Sequence, residues 1–122
     1  MVIALWIVNT ILALMFIAAG LMKTLRPKPA LAAAGMTYVE DFTSPFIKTI
    51  GALEVVAAFG LILPLVTGIA AILAPLAATG LAIIMIGATV VHARRKEPVA
   101  IAAALTILSI ASAVLGFLVV LG

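Results

Sequence analysis

The sequence predicts an all-α integral membrane protein, a four-helix bundle formed by one domain over residues 1–122. Hydrophobic residues make up 67% of the chain and charged residues only 9%, whereas a soluble domain is about half apolar and about a quarter charged. A chain this short has too little interior to bury so many apolar side chains away from water. The apolar residues also form four long runs, and about 20 such residues are needed to cross the bilayer core. A membrane bundle accounts for both observations.

The four runs set the expected spans and their ends. The expected helices cover about residues 2–22, 46–63, 66–91 and 99–121. Pro64 should end the second helix, and Pro75 should kink the third, because proline lacks the backbone N–H of a helix interior. The connection over residues 23–45 is too polar to span. We expect a short helix at the membrane interface within it.

The distribution of charge predicts the orientation of the chain. Every basic residue lies in or beside the first and third connections: Lys23, Arg26, Lys28, Lys48, Arg94, Arg95 and Lys96. The second connection and both tails have none, and positive loops stay in the cytoplasm, so both termini should lie on the non-cytoplasmic side. The expected cytoplasmic anchors are Arg26, Lys28, Arg94, Arg95 and Lys96. Because topology explains the basic residues, membrane lipid is an expected partner and nucleic acid is not.

Residue counts exclude several kinds of site. The chain has no cysteine, so it forms no disulfide, thiol redox centre or thiolate metal site. A single histidine and four carboxylates give no expected metal site. Glu40 and Asp41 are expected to be solvated or to pair with Lys28 or Lys48.

Small and weakly polar residues recur along the runs at helical spacing. Since lipid is as apolar as leucine, helices in membranes associate through close packing of small residues. The expected packing positions are Gly20, Gly51, Gly60, Gly80, Gly87, Ser109, Ser112 and Gly116. They suit contacts within one chain or contacts between copies of it. Asn9 is expected to form an interhelical hydrogen bond.

Glu54 is the most informative polar residue. It lies about 12 Å along its helix from Phe46, close to the middle of the membrane. A charged carboxylate there costs about 2.5 kcal/mol or more, so it should face the bundle interior. Its role is either a structural ion pair or hydrogen bond, or chemistry at a site.

Three further polar residues share the predicted cytoplasmic half with Glu54. Lys23 either turns inward to Glu54 or anchors the helix at lipid phosphate. His92 either relays a proton or donates to a carbonyl oxygen, or it belongs to a basic anchor. Glu54, Lys23, His92 and Lys48 together would form a polar pocket suited to a quinone headgroup or to a small transported solute.

Several of these residues also carry a family resemblance. They are Gly20-x-x-Lys23, then Gly51-x-x-Glu54-Val55 with Gly60 and Pro64, then Gly80, Met85, Gly87, Ala88 and His92, followed by Arg94 and Arg95, together with the stretch Ala34 to Phe42. In order and spacing the chain resembles the DoxX-like family of small bacterial four-helix membrane proteins. Lys23, Glu54 and His92 match the family pattern, but no catalytic role is assigned to them.

The resemblance implies a multi-pass protein of the bacterial inner membrane. The family takes its name from a subunit of thiosulfate:quinone oxidoreductase, and its members are linked to membrane redox complexes. We therefore expect an accessory or membrane subunit of a quinone-linked redox system, with quinone as the cofactor that the resemblance suggests. The alternatives are a non-enzymatic scaffold or assembly factor and a small-solute transporter. Whether the protein is an enzyme stays open, and so does its partner, either a second copy or a redox complex.

Overall fold

The structure is a computed structural model that describes all 122 residues. Its four long helices are α1 (Val2–Leu25), α3 (Ser44–Thr67), α4 (Leu73–Arg94) and α5 (Ala100–Leu121). The first connection contains the short helix α2 (Lys28–Ala33) and a 3-10 helix (Thr37–Asp41), and the chain has no strand. Each long helix is apolar enough to cross a membrane. The predicted all-α protein with four membrane spans is therefore confirmed.

The four long helices form a ring in which α1 and α4 lie diagonally opposite. α1 packs against α3 and α5, and α4 packs against the same two helices. The core between them contains Leu12, Ala13, Phe16, Ala58, Leu61, Ala78, Leu81 and Met85. Large apolar side chains on the outside of the ring are exposed, as expected where lipid is the solvent.

The second span is longer than predicted, because α3 continues through Pro64 to Thr67. A proline removes only the hydrogen bond to the carbonyl four residues earlier, and near a helix end neighbouring groups can compensate. The carbonyl that Pro64 leaves without its helical partner is that of Gly60, and one residue further along α3 the side-chain amide of Asn9 in α1 donates to the Leu61 carbonyl at 2.9 Å. The helix ends at Gly68, which has a φ of 69° and takes the left-handed conformation that glycine tolerates.

The third span is shorter than predicted, because α4 begins at Leu73 and not near residue 66. Pro75 therefore lies in the first turn of α4, where a backbone N–H has no acceptor within the helix. The prediction that Pro75 kinks this span from within is wrong for that reason. Its ring instead packs on Gly116 of α5, where an added Cβ would lie 3.0 Å from the Pro75 Cβ.

The first connection, residues 26–43, folds back over one end of the bundle, and we call this segment the roof. Leu31 of α2, Val39 of the 3-10 helix and Ile47 of α3 form a second, smaller core beneath it. The third connection, residues 95–99, lies beside this roof, as the contact between Thr37 and Glu97 shows. We call this end of the molecule, formed by residues 26–43 and 95–99, the basic end.

Candidate functional site

A close contact between α1 and α3 positions the buried charges of the site. A Cβ added to Gly20 would lie 2.6 Å from the Gly51 carbonyl oxygen, and a Cβ on Gly51 would lie 2.7 Å from that of Gly20. Only glycine lets the two backbones approach this closely. Lys23 follows Gly20 by one helical turn, and Glu54 follows Gly51 by one turn.

The direction of the side chains then brings these two charges together. Side chains on a helix lean toward its N-terminus, so Lys23 leans into the bundle and Glu54 leans toward the basic end. Lys23 Nζ donates to Glu54 Oε1 at 2.5 Å. The side chains of Lys23 and Glu54 are 8% and 0% exposed, so the pair is shielded from bulk solvent. Of the two roles open to Lys23, the structure shows the inward one.

The ion pair leaves one carboxylate oxygen free. Glu54 Oε2 is buried and has no hydrogen-bond partner. Lys23 has three N–H donors, and Glu54 takes one of them. The pair therefore keeps donors on the ammonium group and an acceptor on the carboxylate.

A cavity of about 340 Å³ lies beside Lys23 at the basic end. This volume is at the lower end of the range, about 300–1,000 Å³, that small-molecule sites occupy. Its polar lining consists of Lys23, Tyr38 and His92, and its other walls are apolar side chains, mainly of α3 and α4. An apolar cavity with a few convergent polar groups is the usual form of a ligand site.

Tyr38 contacts both of the other polar groups. Its ring packs edge-on against the His92 ring, with 5.1 Å between the centroids. Lys23 Nζ lies 5.9 Å from the Tyr38 ring centroid, within the range of a cation–π contact. The roof thus supplies an aromatic side chain that fixes the spacing between Lys23 and His92.

Glu97 lies outside the membrane spans and contacts three polar groups. It accepts from Thr37 Oγ1 at 2.5 Å and from Arg95 Nε at 3.1 Å, and His92 Nδ1 lies 3.2 Å from its Oε1. The hydrogen bond from the Thr37 hydroxyl lowers the pKa of Glu97 most, and the contacts with His92 and Arg95 lower it further. Together they outweigh the partial desolvation of the carboxylate, which raises the pKa. Glu97 is therefore an ionised carboxylate at neutral pH.

Arg95 links Glu97 to the roof. Its Nη1 donates to Asp41 Oδ2 at 2.5 Å, and this bond is the main reason that the pKa of Arg95 is raised. Of the two expectations for Asp41, pairing with Lys28 or Lys48 is wrong, whereas solvation agrees with a side chain that is 53% exposed. Both lysines are engaged elsewhere, because Lys28 donates to the Phe42 carbonyl and Lys48 to the Thr24 carbonyl.

The four predicted pocket residues have different positions. Lys23 and His92 line the cavity, and Glu54 lies behind Lys23 without lining it. Lys48 is exposed and lies outside the cavity. Among the predicted anchors, Arg26, Arg94 and Lys96 are exposed, whereas Arg95 belongs to the Glu97 network.

The predicted packing positions also divide into two groups. Gly60 packs on Ala77, and Gly116 packs on Pro75, in addition to the contact between Gly20 and Gly51. Gly80 and Gly87 are exposed, and a Cβ on either would meet no atom within 4 Å. These two glycines take no part in helix contacts within the chain, although Gly87 lines the cavity.

The two serines of α5 are both buried, but only one of them is bonded. Ser112 Oγ donates to Asn9 Oδ1 at 2.5 Å. Ser109 Oγ has no hydrogen-bond partner. Asn9, which also bonds Leu61, therefore joins α1 to α3 and to α5.

Sequence reasoning missed Tyr38, Thr37 and Glu97 as parts of the site. Tyr38 lies in the first connection and Glu97 in the third, so helical spacing along the apolar runs singles out neither. The available signal was a lone carboxylate five residues after the only histidine, in a connection that is otherwise basic.

The fold and the site define a small helical membrane protein with a buried ion pair beside an apolar cavity. The model of the DoxX-like family matches residues 7–114, and the chain belongs to this family. No curated protein and no solved structure matches the chain significantly.

Proposed function

We propose that this protein is a membrane subunit or accessory protein of a redox system and that its cavity binds a quinone. The observation that carries this proposal is the cavity itself, with Lys23 and His92 as polar groups between apolar walls. On this proposal the protein resides in the bacterial inner membrane, with its basic end in the cytoplasm.

The chemistry of the lining fits a quinone headgroup. Such a ring is flat and apolar, and it carries two oxygens on opposite edges. Lys23 has free donors for one oxygen in either redox form, and a ring nitrogen of His92 can accept from the other oxygen when that oxygen is the hydroxyl of the reduced headgroup. The apolar walls, which include Ile50 and Val91, suit the ring faces.

A prenyl tail also has a route into lipid. Phe46 and Ile83 line the cavity and are 48% and 66% exposed, so its rim lies on the outer surface of the bundle. An apolar ligand could thus enter from the bilayer without crossing water. Glu54 supports the site from behind, because it holds the Lys23 ammonium group at the cavity.

The test is mass spectrometry of the protein purified gently from native membranes. We expect about one prenyl quinone per chain in the parent protein and its loss in Glu54→Gln. Lys48→Gln is the matched control, because it removes a charge at the same end but outside the cavity. Ala88→Leu is a second variant, which narrows the cavity without touching the ion pair.

Three outcomes would overturn the proposal. If the parent protein and its three variants all carry phospholipid and no quinone, the cavity is not a quinone site. A partner protein that co-purifies with every variant and with no quinone would indicate a scaffold. Solute flux in liposomes that Glu54→Gln abolishes, again with no quinone, would indicate a transporter.

A further inference from the structure

His92, the only histidine of the chain, contacts a residue outside the cavity through its Nδ1 atom. His92 lines the cavity, whereas Glu97, which faces its Nδ1 at 3.2 Å, does not. Glu97 is held in turn by Thr37 and Arg95. The carboxylate therefore has a fixed place behind the imidazole ring.

This arrangement decides which ring nitrogen carries the proton. An ionised carboxylate only accepts hydrogen bonds, so Nδ1 must carry the hydrogen that faces Glu97. In a neutral imidazole the other nitrogen, Nε2, then has a lone pair and no hydrogen. A carboxylate that orients a functional histidine in this way is a common device in proteins.

We propose that Glu97 is a positioning residue that fixes the tautomer of His92, so that the cavity prefers a hydroquinone to the corresponding quinone. This inference rests on the proposed function, since it specifies which form of the ligand the same cavity binds. A hydroquinone hydroxyl donates to the Nε2 lone pair, whereas a quinone carbonyl only accepts and gains no bond there. At the other oxygen Lys23 donates to either form. The preference therefore arises at His92 alone.

The size of the preference follows from one hydrogen bond. The hydroquinone forms this hydrogen bond with His92 and the quinone does not, and one such bond corresponds to about tenfold in affinity. The measurement belongs at a pH at which the ¹⁵N spectrum shows the His92 ring to be neutral.

The competing explanation is that Glu97 only fastens the third connection to the roof. Asp41→Asn separates the two explanations, because it weakens the bond of Arg95 to the roof and leaves the contact between His92 and Glu97 in place. Glu97→Gln removes the carboxylate. Its amide can donate to Nδ1 and so permits the other tautomer.

Two measurements test the proposal on the full chain in detergent. Because His92 is the only histidine, ¹⁵N-histidine labelling gives the signals of a single ring. We expect the Nδ1–H tautomer in the parent protein and in Asp41→Asn, and the Nε2–H form to appear in Glu97→Gln. Titration with a short-chain benzohydroquinone and its matched quinone, without oxygen, should show about tenfold preference for the hydroquinone. Glu97→Gln should bring the ratio toward one, and Asp41→Asn should retain it.

The outcomes separate this inference from the proposed function. Equal binding of the two forms by the parent protein, or an Nε2–H ring in it, overturns the inference and leaves the quinone proposal standing. An unchanged ratio in Glu97→Gln also overturns it. If the parent protein binds neither form, the proposed function fails and the ligand preference fails with it.

Discussion

Lys23 and Glu54 lie one helical turn to either side of the point where Gly20 and Gly51 bring the antiparallel backbones of α1 and α3 together, and their side chains meet across it. The two glycines and the two charges therefore form one unit. The glycines set the distance between the helices. The Lys23 side chain leans into the bundle and the Glu54 side chain leans toward the basic end, so the two charges form an ion pair. Because each charge is buried, each depends on the other.

Removing one partner of this pair should be costly. Glu54→Gln leaves the buried Lys23 ammonium without its counter-charge, and the loss of one partner of a buried pair costs about 3–5 kcal/mol. We expect a clearly lower midpoint for Glu54→Gln in thermal unfolding in detergent. The double variant Lys23→Met with Glu54→Leu should recover most of that loss, because an apolar pair needs no desolvation of charge.

Lys48→Gln serves as the control for this series and should unfold like the parent protein. A double variant that is less stable than Glu54→Gln would contradict the argument.

The glycine contact should tolerate no side chain. Gly51→Ala would place a Cβ 2.7 Å from the Gly20 oxygen, and overpacking of this kind costs about 1–3 kcal/mol. Gly80→Ala is the matched control, because its Cβ would meet no atom within 4 Å. We expect a lower unfolding midpoint for Gly51→Ala only. Equal losses in both variants would mean that the effect comes from the helix backbone and not from the contact.

The two buried serines of α5 should behave differently. Ser112→Ala breaks the bond to Asn9 and should destabilise the bundle by about 0.6 kcal/mol, the average for such bonds in membranes. Ser109→Ala removes a buried hydroxyl that has no partner, so it should leave stability unchanged or raise it. Unfolding in a graded series of denaturing detergent measures both. A loss on Ser109→Ala would show that its hydroxyl has a bonding partner.

The contact between the roof and the third connection should depend on pH. The folded-state pKa of Glu97 is lowered, so its bonds stabilise the fold above the ordinary Glu range and are lost as pH falls through the folded pKa. The protection of residues 37–41 against hydrogen exchange, taken relative to the intrinsic rate at each pH, should therefore fall below about pH 4 in the parent protein. In Glu97→Gln this protection should already be lower at neutral pH and change less on acidification. The same acid response in both proteins would assign it to another carboxylate.

The four spans and the buried position of Glu54 could be predicted from the sequence. The helix ends and much of the site at the basic end could not, for physical reasons. Long apolar runs have few alternatives to membrane helices, and a carboxylate such as Glu54 in the middle of one must turn inward. Helix ends were less certain, because prolines such as Pro64 and Pro75 are tolerated in a last or a first turn. The site at the basic end was found only in part. Glu97 reaches His92 and Thr37 through the fold of two connections, which helical spacing does not describe.

The bonds of Asn9 also bear on how the protein is made. Ser112 lies 103 residues after Asn9, and Leu61 lies 52 residues after it. During synthesis the Asn9 amide can therefore find its first partner only when the second span enters the membrane, and its second when the last one does. Of the four spans α5 leaves the ribosome last and closes the ring, so until then one edge of α1 is free to contact the proteins that assist insertion.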